Sequence, residues 1–329
     1  MIAGVIMKKS RFLKWTLKII SALLSFSLIF FVLQVFLTPH YLKDATTIVK
    51  GFYFLEENSL DALFLGTSQM FCTVDAGKLT EEYGISSYDF GGSEQSMSMS
   101  SYYFDEAIKT QTPKLVAVEV NKIFNLNSEI NDEQLSWNYS PTSVSVDKFQ
   151  SLNKVLDGDT VLASEHTFVP LLVYHSRWTS VNDKNFDGEY DIDYVFHPEK
   201  YINFPSRGFV AREHYRTFDL TYAESDTTLK SIPKENAEAI LHIAEQCAKR
   251  NMKLLFFKSP LTYWTRGDSL SVKQFMEEHH LDFVDLNDKL DEIGIDGQLD
   301  FNDKWHLCYS GAEKTTDYLS GIIKNYLDE

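Results

Sequence analysis

The sequence predicts an α/β fold, a three-layer α/β/α sandwich around a parallel sheet, preceded by one transmembrane helix. Three observations lead to this prediction. Short apolar runs of strand length alternate with amphipathic segments of helical period along most of the chain. Several of these runs end in glycine, as strands do where they enter a tight turn. One long uncharged segment near the N-terminus has the length that a membrane span requires.

The N-terminal segment, residues 19–37, reads IISALLSFSLIFFVLQVFL and carries no charge. About 20 helical residues cross a hydrocarbon core of ~30 Å. No acidic residue occurs before Asp44, and the basic residues that precede the segment favour a cytoplasmic N-terminus. These are Lys8, Lys9, Arg11, Lys14 and Lys18. A cleaved signal peptide is the alternative, although its apolar region is shorter and ends at a small-residue site. We therefore expect a cytoplasmic tail and single-pass anchor at 1–40, and an extracytoplasmic domain at 41–329.

The extracytoplasmic part contains five strand-like runs and five helical segments. The strands are expected at 61–68, 85–92, 114–121, 253–260 and 282–286, and the helices at 75–83, 94–110, 234–250, 270–280 and 309–327. This alternation predicts a parallel sheet with helices on both faces. Residues at about 122–232 break the pattern and are interpreted as one insertion. It leaves the sheet at the carboxyl end of the third strand, where ligands bind in such folds, so it is well placed to cover a site.

Charge and cysteine usage exclude several classes of function. The formal net charge is −16, and such an acidic protein repels the phosphates of nucleic acid. Cys72, Cys247 and Cys308 lie far apart and form no C-x-x-C pair, so we expect buried thiols rather than a zinc site or a disulfide framework. His197, His214, His279 and His280 have no metal-ligand spacing with acids or cysteines, and we expect them to be surface or structural residues. We therefore expect no metal and no cofactor.

Two polar motifs lie at positions where an α/β sheet carries chemistry. Gly66-Thr67-Ser68 follows the first strand, where a serine hydroxyl is exposed at the start of the next helix. Asp303-Lys304-Trp305-His306 precedes the last helix, and this spacing lets the carboxylate orient the imidazole. The first motif alone is more typical of a helix N-cap. Asp300 also lies near His306 in the sequence and is an alternative partner.

Glycines after the second strand extend this arrangement. Gly91-Gly92 lets a backbone N–H approach a substrate carbonyl oxygen, and the Gln95 side chain is a further possible donor. The order of the motifs along the chain is more specific than any one of them. Serine follows the first strand, glycine follows the second, and Asp-x-x-His precedes the last helix.

This order resembles the SGNH, or GDSL-like, hydrolase superfamily. More closely, the chain is similar to membrane-anchored relatives of the D-alanyl transfer protein of teichoic-acid systems and of polysaccharide O-acetyltransferases. The resemblance covers about residues 50–329 and rests on DALFLGTSQM, SYDFGGSEQS, PKLVAVEV, LLVYHSRW, LLFFKSP and DFNDKWHLCYSGAEKTTDYL. It implies a flavodoxin-like sandwich with the SGNH hydrolase topology.

The resemblance also implies roles for individual residues. Ser68 corresponds to the nucleophile, His306 to the general base and Asp303 to its orienting acid. The Ser68 N–H and Gly92 correspond to the oxyanion hole. This chain departs from the pattern at Thr67, where the superfamily usually has an acid, and at Cys308, where the nearer relatives often have Asn. Asn121 is a substitute for the Asn that the third block usually supplies.

Substrate-binding residues are expected in the insertion and at the fourth strand. Tyr174 and Trp178 are expected to stack on a sugar ring, and Arg177 to bind a phosphate, a carboxylate or a sugar edge. His175, between them in the sequence, is expected to belong to the same substrate-binding group. The alternative is a packing motif in which Arg177 pairs with an acid. Lys258 ends the fourth strand and either faces the same cleft or is an exposed strand-end lysine.

Three hypotheses of function follow from these residues and from the resemblance. The first is acyl transfer, with acetyl as the expected group, through Ser68 to a hydroxyl of a cell-envelope polysaccharide or a teichoic-acid-like polymer. The resemblance implies a membrane-bound O-acyltransferase as donor partner. The second is an esterase that removes acyl groups from envelope glycans. The third is a non-catalytic assembly or binding subunit of an envelope polymer system.

Overall fold

A parallel sheet of five strands forms the centre of the protein. The structure is a computed structural model that describes residues 2–38, 44–175, 193–220 and 226–328, with the backbone alone for residues 2–11. The strands are β1 (Ala62–Gly66), β2 (Ser87–Gly91), β3 (Leu115–Glu119), β4 (Lys253–Lys258) and β5 (Phe283–Asp285). Their spatial order is β2-β1-β3-β4-β5, and each neighbouring pair is parallel. The predicted α/β class and the five predicted strands are confirmed.

The α-helices in the described ranges number fourteen. They are α1 (Ile2–Leu37), α2 (Asp44–Phe52), α3 (Ser68–Phe71), α4 (Ala76–Glu81), α5 (Met97–Ala107), α6 (Asp132–Tyr139), α7 (Val146–Val155), α8 (Thr160–Phe168), α9 (Pro170–Tyr174), α10 (Asp193–Phe196), α11 (Lys234–Lys249), α12 (Arg266–Glu278), α13 (Leu290–Ile293) and α14 (Tyr309–Asp328). Short 3₁₀ turns occur at Asn127–Glu129, Pro198–Lys200 and Leu286–Lys289. The five helices predicted outside the insertion correspond to α4, α5, α11, α12 and α14.

Helices cover both faces of the sheet. Every residue of β1, β2 and β3 is buried, as the central strands of a parallel sheet require. Helix α11 packs on α5 and on β4, whereas α14 packs on α4 and on β3. Right-handed crossovers place α4 on one face and α5 with α11 on the other, and α14 packs beside α4. All carboxyl ends of the strands therefore meet at one edge, where β1 passes into α3.

Helix α1 contains the predicted membrane segment. Within it, Phe12–Leu37 is long and apolar enough to cross a membrane, and it is the one such helix in the described part of the chain. A signal sequence near an N-terminus meets the same criteria of length and composition. The membrane location, the cytoplasmic N-terminus and the 1–40 boundary accordingly stay predictions.

The insertion is more helical than its composition indicated. Helices α6 to α10 all lie within it, and α6 begins with a capping box between Asn131 and Gln134. Helix α7 packs on α5, α6 packs on α2, and α9 lies against α8 and α1. The insertion helices thus pack mainly on other helices, namely α1, α2 and α5. The three cysteines are buried, as predicted for small apolar side chains.

Candidate active site

The turn after β1 presents Ser68 at the first position of α3. The Thr67 side chain caps this helix by accepting a hydrogen bond from the Gln69 N–H at 3.1 Å. Gly66 ends the strand with a φ of +156°, and a Cβ there would lie 2.7 Å from the Cβ of Glu119. A side chain at position 66 would therefore force β1 and β3 apart, and glycine lets the turn close tightly.

The loop before α14 is a tight hairpin that presents His306. Phe301 and Leu307 form an antiparallel bridge, and the Asn302 N–H donates to the His306 carbonyl at 3.0 Å. The hairpin tip, residues 303–306, projects over the carboxyl edge of the sheet. Its geometry is local, which explains why the Asp-x-x-His spacing could be read from the sequence.

The structure brings Ser68, His306 and Asp303 together. The Ser68 Oγ lies 2.8 Å from the His306 Nε2, and the His306 Nδ1 lies 3.0 Å from both carboxylate oxygens of Asp303. Because an ionised carboxylate can only accept, Asp303 holds the proton on Nδ1 and leaves Nε2 as the acceptor for the serine hydroxyl. The His306 and Asp303 side chains are 18% and 31% exposed, so the site is reachable from solvent.

Backbone hydrogen bonds fix the Asp303 carboxylate. Its Oδ1 accepts from the Trp305 N–H at 2.7 Å and from the His306 N–H at 2.9 Å. The alternative acid, Asp300, is fully buried and accepts from Lys314 at 2.6 Å and from Ser310 at 2.7 Å. Burial acts to raise the pKa of Asp300, but these hydrogen bonds hold it below its ordinary value. Asp303, not Asp300, is thus the imidazole's partner.

A return segment of the insertion, residues 207–218, joins the two halves of the site. The Val210 N–H donates to the Phe71 carbonyl at the end of α3, at 2.8 Å. On the other side, the Tyr309 N–H donates to the Arg212 carbonyl at 2.7 Å. The Asn302 side chain also donates to this segment, at the Glu213 carbonyl. This segment contains no catalytic side-chain signature, and sequence reasoning passed over it.

The predicted oxyanion donors differ in whether they already donate a hydrogen bond within the protein. The Ser68 N–H has no acceptor in the described segments of the protein. The Gly92 N–H donates to the Gly66 carbonyl at 3.2 Å, and the Gln95 amide donates to Ser100 at 2.9 Å. A substrate oxygen at either group would have to replace or share these partners. Asn121 lines a cavity of about 270 Å³ beside β3 and β4.

The predicted substrate residues of the insertion are not brought to the triad by any described contact. The Tyr174 ring packs edge-on against His166 at 6.2 Å, and the His175 Nδ1–H donates to the Leu172 carbonyl. Both partners belong to the insertion itself. Arg177 and Trp178 lie outside the described residues, so their role stays a prediction.

The expected position of Lys258 is wrong. It was expected to face the substrate cleft or to be exposed, but its side chain is fully buried and pairs with the equally buried Glu119 at 2.9 Å. The reason is the register of the sheet: Glu119 on β3 lies opposite Phe257 on β4, directly before Lys258. A fully buried ammonium group cannot contact substrate in this conformation.

Tyr263 and Trp305 are aromatic residues beside the site that sequence reasoning missed. They are 40% and 43% exposed, and the Thr262 hydroxyl ties their two loops together by donating to the Lys304 carbonyl at 3.0 Å. Burial and nearby Glu94 raise the pKa of Tyr263 to about 12, although hydrogen-bonding groups of Gln69 and Trp305 act the other way. Tyr263 directly follows Thr262, so the Thr262 hydrogen bond holds it beside the His306 loop.

Comparisons with known proteins give distant resemblances to solved structures alone. No family model matches the chain, and no curated protein matches it. Among solved structures, one match is a Bacteroides fragilis protein described as a candidate acylhydrolase, with 11% identity and a TM-score of 0.38. The alignment covers 85% of this chain and 95% of that one. A resemblance at this level is too distant to assign a function.

Proposed function

We propose that this protein is a serine-dependent acyltransferase that works outside the cytoplasmic membrane on a cell-envelope polymer. The observation that carries the proposal is the 2.8 Å contact between Ser68 Oγ and His306 Nε2, with His306 held by Asp303. The nucleophile, the base and the orienting acid are joined by successive hydrogen bonds at the carboxyl edge of the sheet, where α/β folds bind ligands. This contact favours a catalytic role over that of a non-catalytic assembly subunit.

The first half of the reaction loads the serine. The Ser68 oxygen attacks the carbonyl carbon of an acyl donor while its proton moves to the His306 Nε2. The negative charge that develops on the carbonyl oxygen is stabilised by the Ser68 N–H, which is unoccupied in the described structure. The bond to the donor oxygen or sulfur then breaks, His306 returns the proton to that leaving group, and an acyl ester on Ser68 remains.

The second half transfers the acyl group. A hydroxyl of the acceptor gives its proton to His306 and attacks the acyl-serine carbonyl. The bond to the Ser68 oxygen then breaks, His306 returns the proton to that oxygen, and the new ester is released. Water at the same position would give hydrolysis, and the esterase alternative therefore uses the same three residues. The half-exposed aromatics Tyr263 and Trp305 offer a surface at which a sugar acceptor can exclude water.

The N-terminal segment supports the choice of an envelope acceptor. Residues Phe12–Leu37 can hold the catalytic domain at the membrane, where exported polymers and lipid-linked donors are present. A membrane-bound O-acyltransferase is the donor partner that this arrangement suits, and acetyl is the expected acyl group. The acidic character of the chain disfavours nucleic acid as a substrate.

A partition experiment separates transfer from hydrolysis. The full-length chain in detergent micelles is given p-nitrophenyl acetate, with and without an envelope polysaccharide as acceptor. Transfer predicts that the acceptor raises the rate of p-nitrophenol release. It also predicts that one acetyl ester appears on the polymer for each p-nitrophenol released. Free acetate as the sole product at saturating acceptor would favour the esterase, and Ser68→Ala must abolish either product.

A further inference from the structure

A fully buried ion pair lies next to the nucleophile turn. Lys258 and Glu119 end the neighbouring strands β4 and β3, their charged groups are 2.9 Å apart, and neither side chain has exposed surface. The Lys258 ammonium donates to three acceptors, which are Glu119, the Gln69 side-chain oxygen at 2.7 Å and the Ser259 carbonyl at 3.2 Å. Since an ammonium group has three N–H donors, all of them are used.

The two partners of the pair contact the two residues that flank Ser68. The Thr67 hydroxyl donates to Glu119 at 3.4 Å and accepts from the Gln69 N–H at 3.1 Å. The Gln69 side chain in turn accepts from Lys258. Thr67 and Gln69 are both buried, so these contacts are shielded from water. The residue before the nucleophile is therefore linked to the carboxylate, and the residue after it to the ammonium group.

Stability alone does not explain an ion pair at this place. Two charges lose their hydration on burial, and apolar side chains of similar volume often stabilise a core equally well. A pair of charges does something that apolar side chains cannot, because its hydrogen bonds have fixed directions. Here the pair forms such hydrogen bonds with Thr67 and Gln69.

We propose that the Lys258–Glu119 pair is the positioning element of the nucleophile turn, which holds Thr67 and Gln69 so that the Ser68 Oγ stays in line with His306 Nε2. The proposal rests on the proposed function, since it assigns a task within the same site. Lys258 and Glu119 are positioning residues and touch neither substrate nor the reacting atoms. The pair acts through the backbone of α3, whose first residue is Ser68.

The effect of losing the pair can be stated as a change in kinetics. A displacement of about 1 Å at a reacting group costs on the order of 10²-fold in rate. A freer turn would present Ser68 at the right place for part of the time, without changing the surface that binds substrate. Loss of the pair should therefore lower kcat and leave KM nearly unchanged.

The test uses the full-length chain in detergent micelles and the double variant Lys258→Met/Glu119→Met. Removing both charges avoids an unpaired buried charge, which would unfold the site for a trivial reason. We expect kcat for p-nitrophenyl acetate, and the rate of labelling by a fluorophosphonate, to fall roughly 10- to 100-fold with an unchanged KM. A folded double variant with wild-type kcat and labelling rate would overturn the proposal.

A second pair of variants keeps the proposal testable if the double variant does not fold. Thr67→Val removes the hydroxyl that Glu119 accepts from, whereas Thr67→Ser retains it. We expect the valine variant to lose kcat roughly 10-fold or more and the serine variant to recover most of it. Equal rates in the two variants would contradict the role of the pair.

A matched control separates positioning from a general effect of removing a buried lysine. Lys148 is also buried and donates to the Tyr139 carbonyl at 2.7 Å, in the insertion and away from α3. Lys148→Met should change the melting temperature and leave kcat unchanged. A wild-type chain that does not react with fluorophosphonate at all would contradict the proposed function itself, whereas a reactive wild type with an equally reactive double variant contradicts the positioning role alone.

Discussion

The Ser68 hydroxyl and the His306 imidazole are 2.8 Å apart, although 238 positions separate them in the chain. Ser68 reaches this point because β1 is a central, fully buried strand that ends in a tight glycine turn. His306 reaches it from the other end of the chain, on a hairpin closed by the Phe301–Leu307 bridge. The contact thus depends on the whole sheet.

Replacing Asp303 by asparagine should lower kcat by about 10⁴-fold, because an amide no longer holds the imidazole in the tautomer that accepts from serine. The fold should be retained, since asparagine keeps an oxygen for the Trp305 and His306 N–H groups. Steady-state kinetics with p-nitrophenyl acetate measure the loss.

Asp300→Asn is the matched control for that variant. Asp300 pairs with Lys314 and Ser310 rather than with His306, so this change should lower the melting temperature and leave kcat per folded molecule unchanged. If Asp300→Asn abolished activity while Asp303→Asn retained it, the assignment of the orienting acid would be wrong.

Gly92→Ala should destabilise the protein by about 1–3 kcal/mol, the usual cost of forcing an extra methyl into a packed site. The new Cβ would lie 1.9 Å from the Asn138 side-chain oxygen, so Asn138 and the start of the insertion must move. Chemical denaturation measures the change in the free energy of unfolding.

Gly321→Ala is the matched comparison, because it should change the free energy of unfolding in the opposite direction. Gly321 lies inside α14 with nothing within 4 Å of its added Cβ, and alanine there should stabilise the helix by about 0.5–1 kcal/mol. Equal effects of the two substitutions would mean that Gly92 is not closely packed.

Asp89 should make stability depend on pH. Its side chain is fully buried on β2, and burial followed by nearby Asp75 raises its pKa well above the ordinary value. The folded state therefore keeps a proton that the unfolded chain loses above about pH 4, so this group favours unfolding increasingly as pH rises from there toward its folded pKa. Asp89→Asn should raise the melting temperature at pH 7, with the gain disappearing below about pH 4. A gain that is the same at pH 3 and at pH 7 would contradict this.

The N-terminal segment can be tested by its fate in cells. An uncleaved anchor predicts that the mature protein retains residues 1–40 and stays with the membrane pellet after alkaline carbonate extraction. N-terminal sequencing of the mature chain reads the first outcome directly. A mature protein that begins after residue 37 and is released by carbonate would show a signal peptide instead.

Features whose cause is local in the chain were predicted well from the sequence. The strands β1 to β5 are short apolar runs, and the glycine turn before Ser68 and the Asp-x-x-His spacing need no distant residue to define them. The capping box of α6, Asn131 with Gln134, was a local signal as well. It was hidden by the polar composition of the insertion, which indicated irregular structure.

Features that depend on register between distant strands could not be predicted in the same way. Lys258 reads as a charged strand end, and only the alignment of β3 with β4 places Glu119 beside it. The same holds for Tyr263 and Trp305, whose two loops are joined by the hydrogen bond from the Thr262 hydroxyl to the Lys304 carbonyl. A long-range pairing of this kind leaves no pattern in either segment alone.

Labelling of Ser68 by a fluorophosphonate tests the central claim most directly, because it requires an activated serine and no knowledge of the natural substrate. The full-length chain in detergent micelles should be labelled once, with the adduct on the peptide that contains Ser68, and His306→Ala should slow the reaction strongly. An unlabelled wild-type chain, or equal labelling of wild type and Ser68→Ala, would contradict the proposed catalytic role of this serine.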